Sequence, residues 1–533
     1  MNLRHGLLTA AAVLLLNVLL TLQIIWPTPW VTWHGSLSVE LGVLLVALGA
    51  FAFVAPKQLP RLAIPLAILL LLLVFGRYGV VASYALYGRP INLYWDAPHV
   101  GNVVAMFATA APVWQLVLAV IAVLSLFGIL GSILLCTLRV LLRAEALSRA
   151  RAVLMIVGVL LIAGFAADWS NVSIPFVDFA QPVTTTYLEQ VQRIRKSAAS
   201  SGAVRALPPS PPLPANLKRL RGADVVVVFV ESYGASTYDM PRYRDALRDA
   251  RNELAAAVAS SGRQIRSAFV RSPTISGGSW LAHVSLVSGV ALADPNDYAL
   301  LMTQKRETMV DAFRRAGYRC VALMPGLRQE WPEGAFYRFD AIHNARAINW
   351  QGPEFGWWRI PDQFTLARLL DMELTTTPRQ PVFAVIATIS THLPFEPVPP
   401  LQPDWQQLRS SEPYAADVLA RSLARKPEWL DLGRSYIDAV DYSLRSLSGL
   451  LRERPDSSSV FVIIGDHQPA SNVSGDGASW DVPVHVLTGN SDVLAALVAA
   501  GFAPGIEPPR ATLAPMHELQ SVLLHAFEKK AAD

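Results

Sequence analysis

Cysteine is scarce in this sequence, since 533 residues contain only Cys136 and Cys320. The two lie roughly 180 positions apart, and Cys136 falls in an apolar stretch, so they do not form the closely spaced set of a disulfide framework. The fold must therefore be stabilised by its hydrophobic core.

Charged residues are also scarce, at 16% against a usual share of about 25%, while 52% of the residues are hydrophobic. This balance excludes a disordered chain and disfavours a purely soluble one. Residues 1–170 carry nine Lys or Arg against four Asp or Glu, whereas the remainder carries 36 against 37. The second part has no basic surplus, which argues against a nucleic-acid partner.

Five apolar stretches of about bilayer-spanning length lie in the first third of the chain, at 6–26, 37–55, 62–84, 113–138 and 152–167. Arg and Lys concentrate in alternate loops, so the positive-inside rule predicts a cytoplasmic N-terminus. Residues 1–168 are then a multi-pass region of the inner (cytoplasmic) membrane. Five crossings place the rest of the chain on the periplasmic or extracytoplasmic side.

Residues 169–222 predict a juxtamembrane helix and then a linker, whose proline run at 208–214 favours extended polyproline II. From 223 to 533, β-branched runs at 225–230, 319–324, 382–389 and 460–464 alternate with helical patterns. Continuous apolar runs of this kind predict a mostly parallel sheet buried between helices. The expected fold class is a five-helix transmembrane region followed by an α/β extracytoplasmic domain.

Polar side chains follow three of these runs, at the edge where ligands of such sheets bind. Glu231 follows the first run, His392 follows the third, and Asp466-His467 follows the fourth. Carboxylate oxygen together with imidazole nitrogen suits a divalent metal. Each residue alone is more simply a cap or a surface group, but three strand ends together predict a metal site.

A hydroxyl group is available in the segment Gly277-Gly278-Ser279, which leads into a predicted helix. The start of a helix attracts anions such as phosphate. Ser279 is therefore a candidate nucleophile. The local pattern alone favours a serine that caps the helix.

These segments resemble the alkaline phosphatase/sulfatase superfamily, and within it the membrane-anchored lipoteichoic acid synthase and phosphoglycerol transferase branch. The likeness extends to the order of the motifs and to the five spans before them. It implies an alkaline phosphatase-like fold and one Mn²⁺ or Zn²⁺, held by Glu231, Ser279, Asp466 and His467.

The resemblance also fixes the register of the nucleophile, because Ser279 stands ten residues before Gly289, as the key residue of sulfatases does. Sulfatases need Pro and Arg two and four places later to convert that residue to formylglycine, and here Leu281 and His283 stand there. Ser279 should remain serine, which favours phosphoryl chemistry over sulfate-ester hydrolysis.

Substrate contacts are expected from three residues. His392 resembles the family's phosphate-binding histidine and is a candidate acid. The family's Trp-Asn-Arg motif is missing, so Arg328 is the first candidate for the substrate arginine and Arg338 is the second. The alternative is that Arg328 is a surface arginine with no role in the site. His283 lies one helical turn after Ser279 and should face the same pocket, unless it is a core or capping histidine.

The resemblance implies a transferase that moves a phospholipid head group to a glycan or glycolipid acceptor through a phospho-Ser intermediate. Phosphoglycerol is favoured over phosphoethanolamine, because phosphoethanolamine transferases usually carry several disulfides. A sulfatase-like phosphodiester or sulfate-ester hydrolase remains the alternative. A non-enzymatic sensor is disfavoured, because every metal-ligand position is filled.

Overall fold

The computed structural model describes residues 3–529, apart from 25–30, 88–90, 98–99, 102–103, 106–107, 109–112, 171–176, 201–205, 293, 329–330, 357–359, 376–378, 429–430 and 476. The chain divides into two compact units. One, the membrane unit, comprises Met1–Ala85 and Arg89–Ala199; the other, the outer unit, is essentially Ser200–Asp533.

The membrane unit is helical. Its long helices among the described residues are α1 (Leu3–Thr21), α2 (Val39–Val54), α3 (Ala63–Tyr87), α4 (Val113–Glu145), α5 (Ser148–Trp169) and α6 (Val183–Ser200). Among the described residues, α1, α3, α4 and α5 are long and apolar enough to cross a membrane. Helix α2 has 16 residues and extends about 24 Å, short of the ~30 Å hydrocarbon layer. Five apolar helices thus lie where five spans were predicted, and four of them reach full spanning length.

Ionisable side chains in the membrane unit contact other parts of that unit. Arg77 donates from Nε to the carbonyl of Leu22 (3.0 Å) and from Nη1 to that of Gln181 (3.3 Å). Glu40 accepts the N–H of Thr184 through Oε1 at 3.1 Å. Both side chains are therefore hydrogen-bonded within the membrane unit.

The outer unit contains a nine-stranded sheet. Its strands are β1 (Val225–Val230), β2 (Gln264–Arg271), β3 (Arg319–Met324), β4 (Ala341–Asn344), β5 (Val382–Ala387), β6 (Val460–Gly465), β7 (Asp481–Thr488), β8 (Ala503–Pro504) and β9 (Thr512–Pro515). The order across the sheet is β8-β2-β7-β6-β1-β5-β3-β4, and β9 pairs with β2.

The α-helices with six or more residues in the described part of the outer unit are α7 (Pro241–Ala246), α8 (Arg248–Ser260), α9 (Ser279–Ser288), α10 (Pro295–Met302), α11 (Met309–Arg315), α12 (Asp362–Leu369), α13 (Ala416–Ala424), α14 (Gly433–Glu453), α15 (Ser491–Ala499) and α16 (Met516–Phe527). They cover both faces of the sheet. Alternate residues of β1 supply the two cores: Val226 and Val228 pack on one side, Val225 and Val227 on the other. The α/β prediction is confirmed.

The sheet is more mixed than predicted. Strands β6, β1, β5, β3 and β4 run parallel to one another, whereas β7 is antiparallel to both β6 and β2. The parallel group brings the carboxyl ends of β6, β1 and β5 side by side, and this edge carries the predicted site.

The proline-rich segment is packed against the outer unit. Leu207 is buried with the residues of one core, and the N–H of Ala215 donates to Glu528 Oε1 at 3.2 Å. Pro211 lies beside Gly289: a β-carbon added at Gly289 would lie 2.6 Å from the Cγ atom of Pro211. The segment is therefore attached to the domain along its length and is not a free spacer.

Candidate metal centre and nucleophile

The strand register brings the predicted carboxylates together. In the sheet, Val230 of β1 pairs with Gly465 of β6, so Glu231 and Asp466 leave the sheet side by side. Ligand atoms of Glu231, Asp466 and His467 all lie within 4.8 Å of one another, and all three residues are buried. The structure thus unites three of the four predicted metal ligands at the end of the parallel strands.

Ser279 joins this cluster as the first residue of α9. The capping position belongs to Gly278, which has a left-handed φ of 73°. The Ser279 hydroxyl donates to Glu231 Oε2 at 2.9 Å and lies 3.1 Å from His467 Nε2. Because Gly278 occupies the capping position and the Ser279 hydroxyl contacts Glu231 and His467, the capping alternative does not describe the role of Ser279.

The orientation of His467 suits a metal ligand. Its Nδ1 lies 2.7 Å from the carbonyl oxygen of Gln468, which can only accept, so Nδ1 carries the proton and Nε2 is left for an ion. His467 Nε2 is 3.3 Å from Glu231 Oε1. Two atoms bound to one ion at about 2.1 Å can be up to ~4.2 Å apart, so this spacing is compatible with a shared ion.

The two carboxylate oxygens of Asp466 differ in their hydrogen bonding. Its Oδ1 accepts the N–H groups of Ser232 (2.8 Å) and His467 (2.6 Å), whereas Oδ2 is buried without a hydrogen-bond partner among the described residues. A buried carboxylate oxygen without a partner is costly. A divalent cation would satisfy it, and two carboxylates, an imidazole and a hydroxyl match the ligands that Zn²⁺ and Mn²⁺ accept.

Each charge in this cluster shifts the pKa values of its neighbours. Burial lowers the pKa of His467, but the carboxylates of Asp466 and Glu231 outweigh burial and raise it to about 9. Burial raises the pKa of Glu231, yet His467 beside it brings the pKa below its ordinary range. Burial, and then the charge of Glu231, hold the pKa of Asp466 well above the usual value. A divalent cation would relieve the repulsion between these two buried carboxylates.

A family model described as sulfatase matches residues 223–486. These residues form a sulfatase-family domain. The predicted membership of the alkaline phosphatase/sulfatase superfamily is therefore confirmed, and the matched segment contains Glu231, Ser279, His392, Asp466 and His467.

Solved structures resemble the chain at low identity. The phosphoethanolamine transferase EptA of Neisseria meningitidis is 14% identical over 97% of this chain and 95% of its own, with a TM-score of 0.48. The lipoteichoic acid synthase LtaP of Listeria monocytogenes is 13% identical over 50% of this chain, with a TM-score of 0.34. The match spans 65% of the LtaP chain, less than two thirds of its length.

The phosphoglycerol transferase GacH of Streptococcus pyogenes, in complex with sn-glycerol-1-phosphate, is 11% identical over 59% of this chain and 76% of its own, with a TM-score of 0.36. No curated protein matches the sequence.

In the sulfatase domain, His392 lies on the loop after β5, beside β1, the strand that precedes Glu231. Its Nδ1 donates to the carbonyl oxygen of Leu393 at 2.7 Å. The preceding residue, Thr391, donates its hydroxyl to the carbonyl of Glu231. This bond connects the loop that carries His392 to the end of β1.

The two arginine candidates lie elsewhere in the sulfatase domain. Arg328 follows β3, two strands from β1, and lines a cavity of about 260 Å³ together with Arg346 and Trp350. None of the clustered metal ligands lines that cavity. Arg338 pairs with Asp311 at 2.7 Å, which gives it a structural partner.

His283 faces the cluster from the second turn of α9. Its Nε2 is 3.8 Å from Asp466 Oδ2, and its ring packs on Phe229 with centroids 4.3 Å apart. Burial lowers its pKa to about 4, with partial opposition from the charge of Glu231. His283 is therefore neutral at pH 7, and it lies next to Asp466, a predicted metal ligand.

Sequence reasoning missed the residues that hold the ligands. Ser232, whose φ is +55°, donates its hydroxyl to Glu231 Oε1 (3.1 Å) and its N–H to Asp466. Thr391 and Asp362 hold the neighbouring loop. The position of Ser232, directly after a strand-end glutamate, was the available signal, but a serine there also fits an ordinary turn.

Proposed function

We propose that this chain is a membrane-bound, metal-dependent transferase that moves a phospholipid head group to a periplasmic or cell-surface glycan or glycolipid. The observation that carries the proposal is the Ser279 hydroxyl, which lies within hydrogen-bond distance of both Glu231 and His467 at the start of a helix. A serine held against metal-ligand side chains is a nucleophile arrangement, and the anchor brings it to a lipid substrate.

Glu231, Ser279, Asp466 and His467 would hold the ion, Mn²⁺ or Zn²⁺, which would lower the pKa of the serine hydroxyl and polarise a phosphate oxygen. Ser279 Oγ attacks phosphorus, the bond from phosphorus to the diacylglycerol oxygen breaks, and the head group remains as a phosphoester of Ser279. Glu231 Oε2 is placed to accept the serine proton.

His392 supplies the proton that the departing diacylglycerol oxygen needs, and Arg328 is proposed to bind the head group beyond it. An acceptor hydroxyl then attacks the phosphoester and gives its proton to His392. The bond from phosphorus to Ser279 Oγ breaks, and the proton held by Glu231 returns to Ser279. The start of α9 directs backbone N–H groups and the positive end of the helix dipole toward the transferred phosphate. We prefer phosphoglycerol as the head group because of the family resemblance and because the sequence lacks the cysteines of a disulfide framework.

Ser279→Ala is expected to lower transfer from head-group-labelled phospholipid by at least about 10³-fold, since the nucleophile is lost. Ser276→Ala is the matched control, because Ser276 lies in the same loop and its hydroxyl bonds to the Pro469 carbonyl instead. Near-normal transfer by Ser279→Ala would refute the assignment. If free head-group phosphate is released equally with and without acceptor glycan, the hydrolase alternative is favoured.

The domain is proposed to lie outside the cytoplasm, with the N-terminus inside. The support is the alternation of basic loops and five apolar helices, of which α2 is the shortest. A topology reporter fused to the C-terminus should be active only on the extracytoplasmic side. Cytoplasmic activity would show that one of the five helices does not cross.

A further inference from the structure

The carboxylate of Asp466 is held on one side only. Two backbone N–H groups, from Ser232 and His467, fix Oδ1. Among the described residues Oδ2 has no hydrogen-bond partner, although it is buried. A carboxylate fixed through one oxygen can still rotate about that oxygen, so the direction in which Oδ2 points depends on what faces it.

His283 faces Oδ2. Its Nε2 lies 3.8 Å away, and this nitrogen is likewise buried without a partner in the part of the chain that the structure describes. Two complementary buried groups thus stand opposite each other, about 0.9 Å beyond the usual N–H···O distance. A small rotation of either side chain closes the gap.

The location of His283 supports a fixed imidazole. It lies one turn after Ser279 on α9, and its ring packs against Phe229 of β1, two residues before Glu231. Helical side chains lean toward the N-terminus, which directs the ring toward the cluster. His283 is not grouped with the three ligands whose atoms lie within 4.8 Å of one another, so it supports the site from outside the ligand set.

We propose that His283 is a positioning residue, whose Nε2–H donates to Asp466 Oδ2 and orients that oxygen toward the ion. The inference rests on the metal-dependent function proposed above. A carboxylate oxygen has two lone pairs, so Oδ2 can bind an ion with one and accept from His283 with the other. Hydrogen bonds to ligating carboxylates typically contribute 10- to 100-fold to metal affinity.

The test compares two variants of the purified full chain in detergent. His283→Phe keeps a ring against Phe229 but removes the donor, whereas His283→Gln keeps an N–H donor at similar reach. Isothermal titration with Mn²⁺ and with Zn²⁺ should show a dissociation constant raised about 10- to 100-fold in His283→Phe and largely restored in His283→Gln. At saturating metal, the KM for phospholipid should be unchanged.

An unchanged metal dissociation constant in His283→Phe would overturn the inference, and a raised KM for lipid would then return His283 to substrate binding. Equal weakening in both variants would also overturn it, because the donor would not be the cause. His283→Leu is a second donor-free variant in case the Phe ring disturbs folding. If the unaltered chain binds neither metal, the proposed function fails together with this inference. Glu231→Gln removes a proposed carboxylate ligand and therefore tests the metal site independently of His283.

Discussion

Asp362 holds the loop that carries His392, and removing its carboxylate should destabilise the sulfatase domain. Its Oδ1 accepts the N–H groups of Ile389 (2.8 Å) and Ser390 (3.0 Å), and its Oδ2 accepts the hydroxyl of Ser443 (2.8 Å). The Asp362 N–H in turn donates to Ser390 Oγ at 3.1 Å. The path of the chain from β5 to His392 is thereby fixed from the start of α12.

Asp362→Ala leaves two buried backbone N–H groups without acceptors, while the Ser443 hydroxyl can rotate. Each unsatisfied N–H costs about 1–3 kcal/mol, or about 2–6 kcal/mol for the pair. Burial raises the pKa of Asp362 in spite of these hydrogen bonds, so the desolvation of its carboxylate already offsets part of the gain. We therefore expect a loss near the lower end, about 3 kcal/mol.

A domain of about 310 residues has an unfolding entropy near 0.65 kcal/mol/K, so 3 kcal/mol lowers Tm by about 5 °C. Tryptophan fluorescence of the full chain in detergent, followed on heating, measures this shift. Asp362→Asn is the control, because the amide oxygen can accept both N–H groups and its NH₂ can donate to Ser443. A Tm within 1 °C of the unaltered protein for Asp362→Ala, or equal losses in both variants, would refute the reasoning.

Gly465→Ala should destabilise the domain by about 3 kcal/mol or more, since its β-carbon would lie 1.8 Å from the carbonyl oxygen of Tyr233. Gly317→Ala, in open space at φ +83°, should cost only about 1–2 kcal/mol; thermal melts that rank the two equally would contradict this. Burial raises the pKa of Glu373, but the hydrogen bond from His343 and other partners outweigh burial and bring it to about 2. The ionised Glu373 therefore stabilises the folded domain fully above pH 4.5, and this stabilisation is lost as the pH falls toward 2. Glu373→Gln should accordingly lower the free energy of unfolding by up to about 3 kcal/mol at pH 7 and by little at pH 2. Melts across that range test it, and a deficit independent of pH would count against the ionised pair.

The central strands could be predicted because each is a continuous apolar run, buried on both faces. Strands β2 and β7 escaped prediction because both carry polar residues inward. Ser267 of β2 and His485 of β7 are fully buried and satisfy each other through a 2.7 Å hydrogen bond between Oγ and Nδ1. Burial of such residues depends on a partner more than 200 positions away, and no local pattern contains that information.

The same limit explains why Ser279 was ambiguous and what resolved it. A serine after two glycines has the same local sequence whether it caps a helix or attacks a substrate. Here Gly277 and Gly278 have φ values of 136° and 73°, which let the chain turn so that Gly278 takes the capping position and Ser279 becomes the first helical residue. The hydroxyl then points to Glu231 and His467, which lie 48 and 188 positions away. The two glycines therefore determine the role of the serine, because a capping serine would use its hydroxyl on its own backbone and have none to offer the cluster.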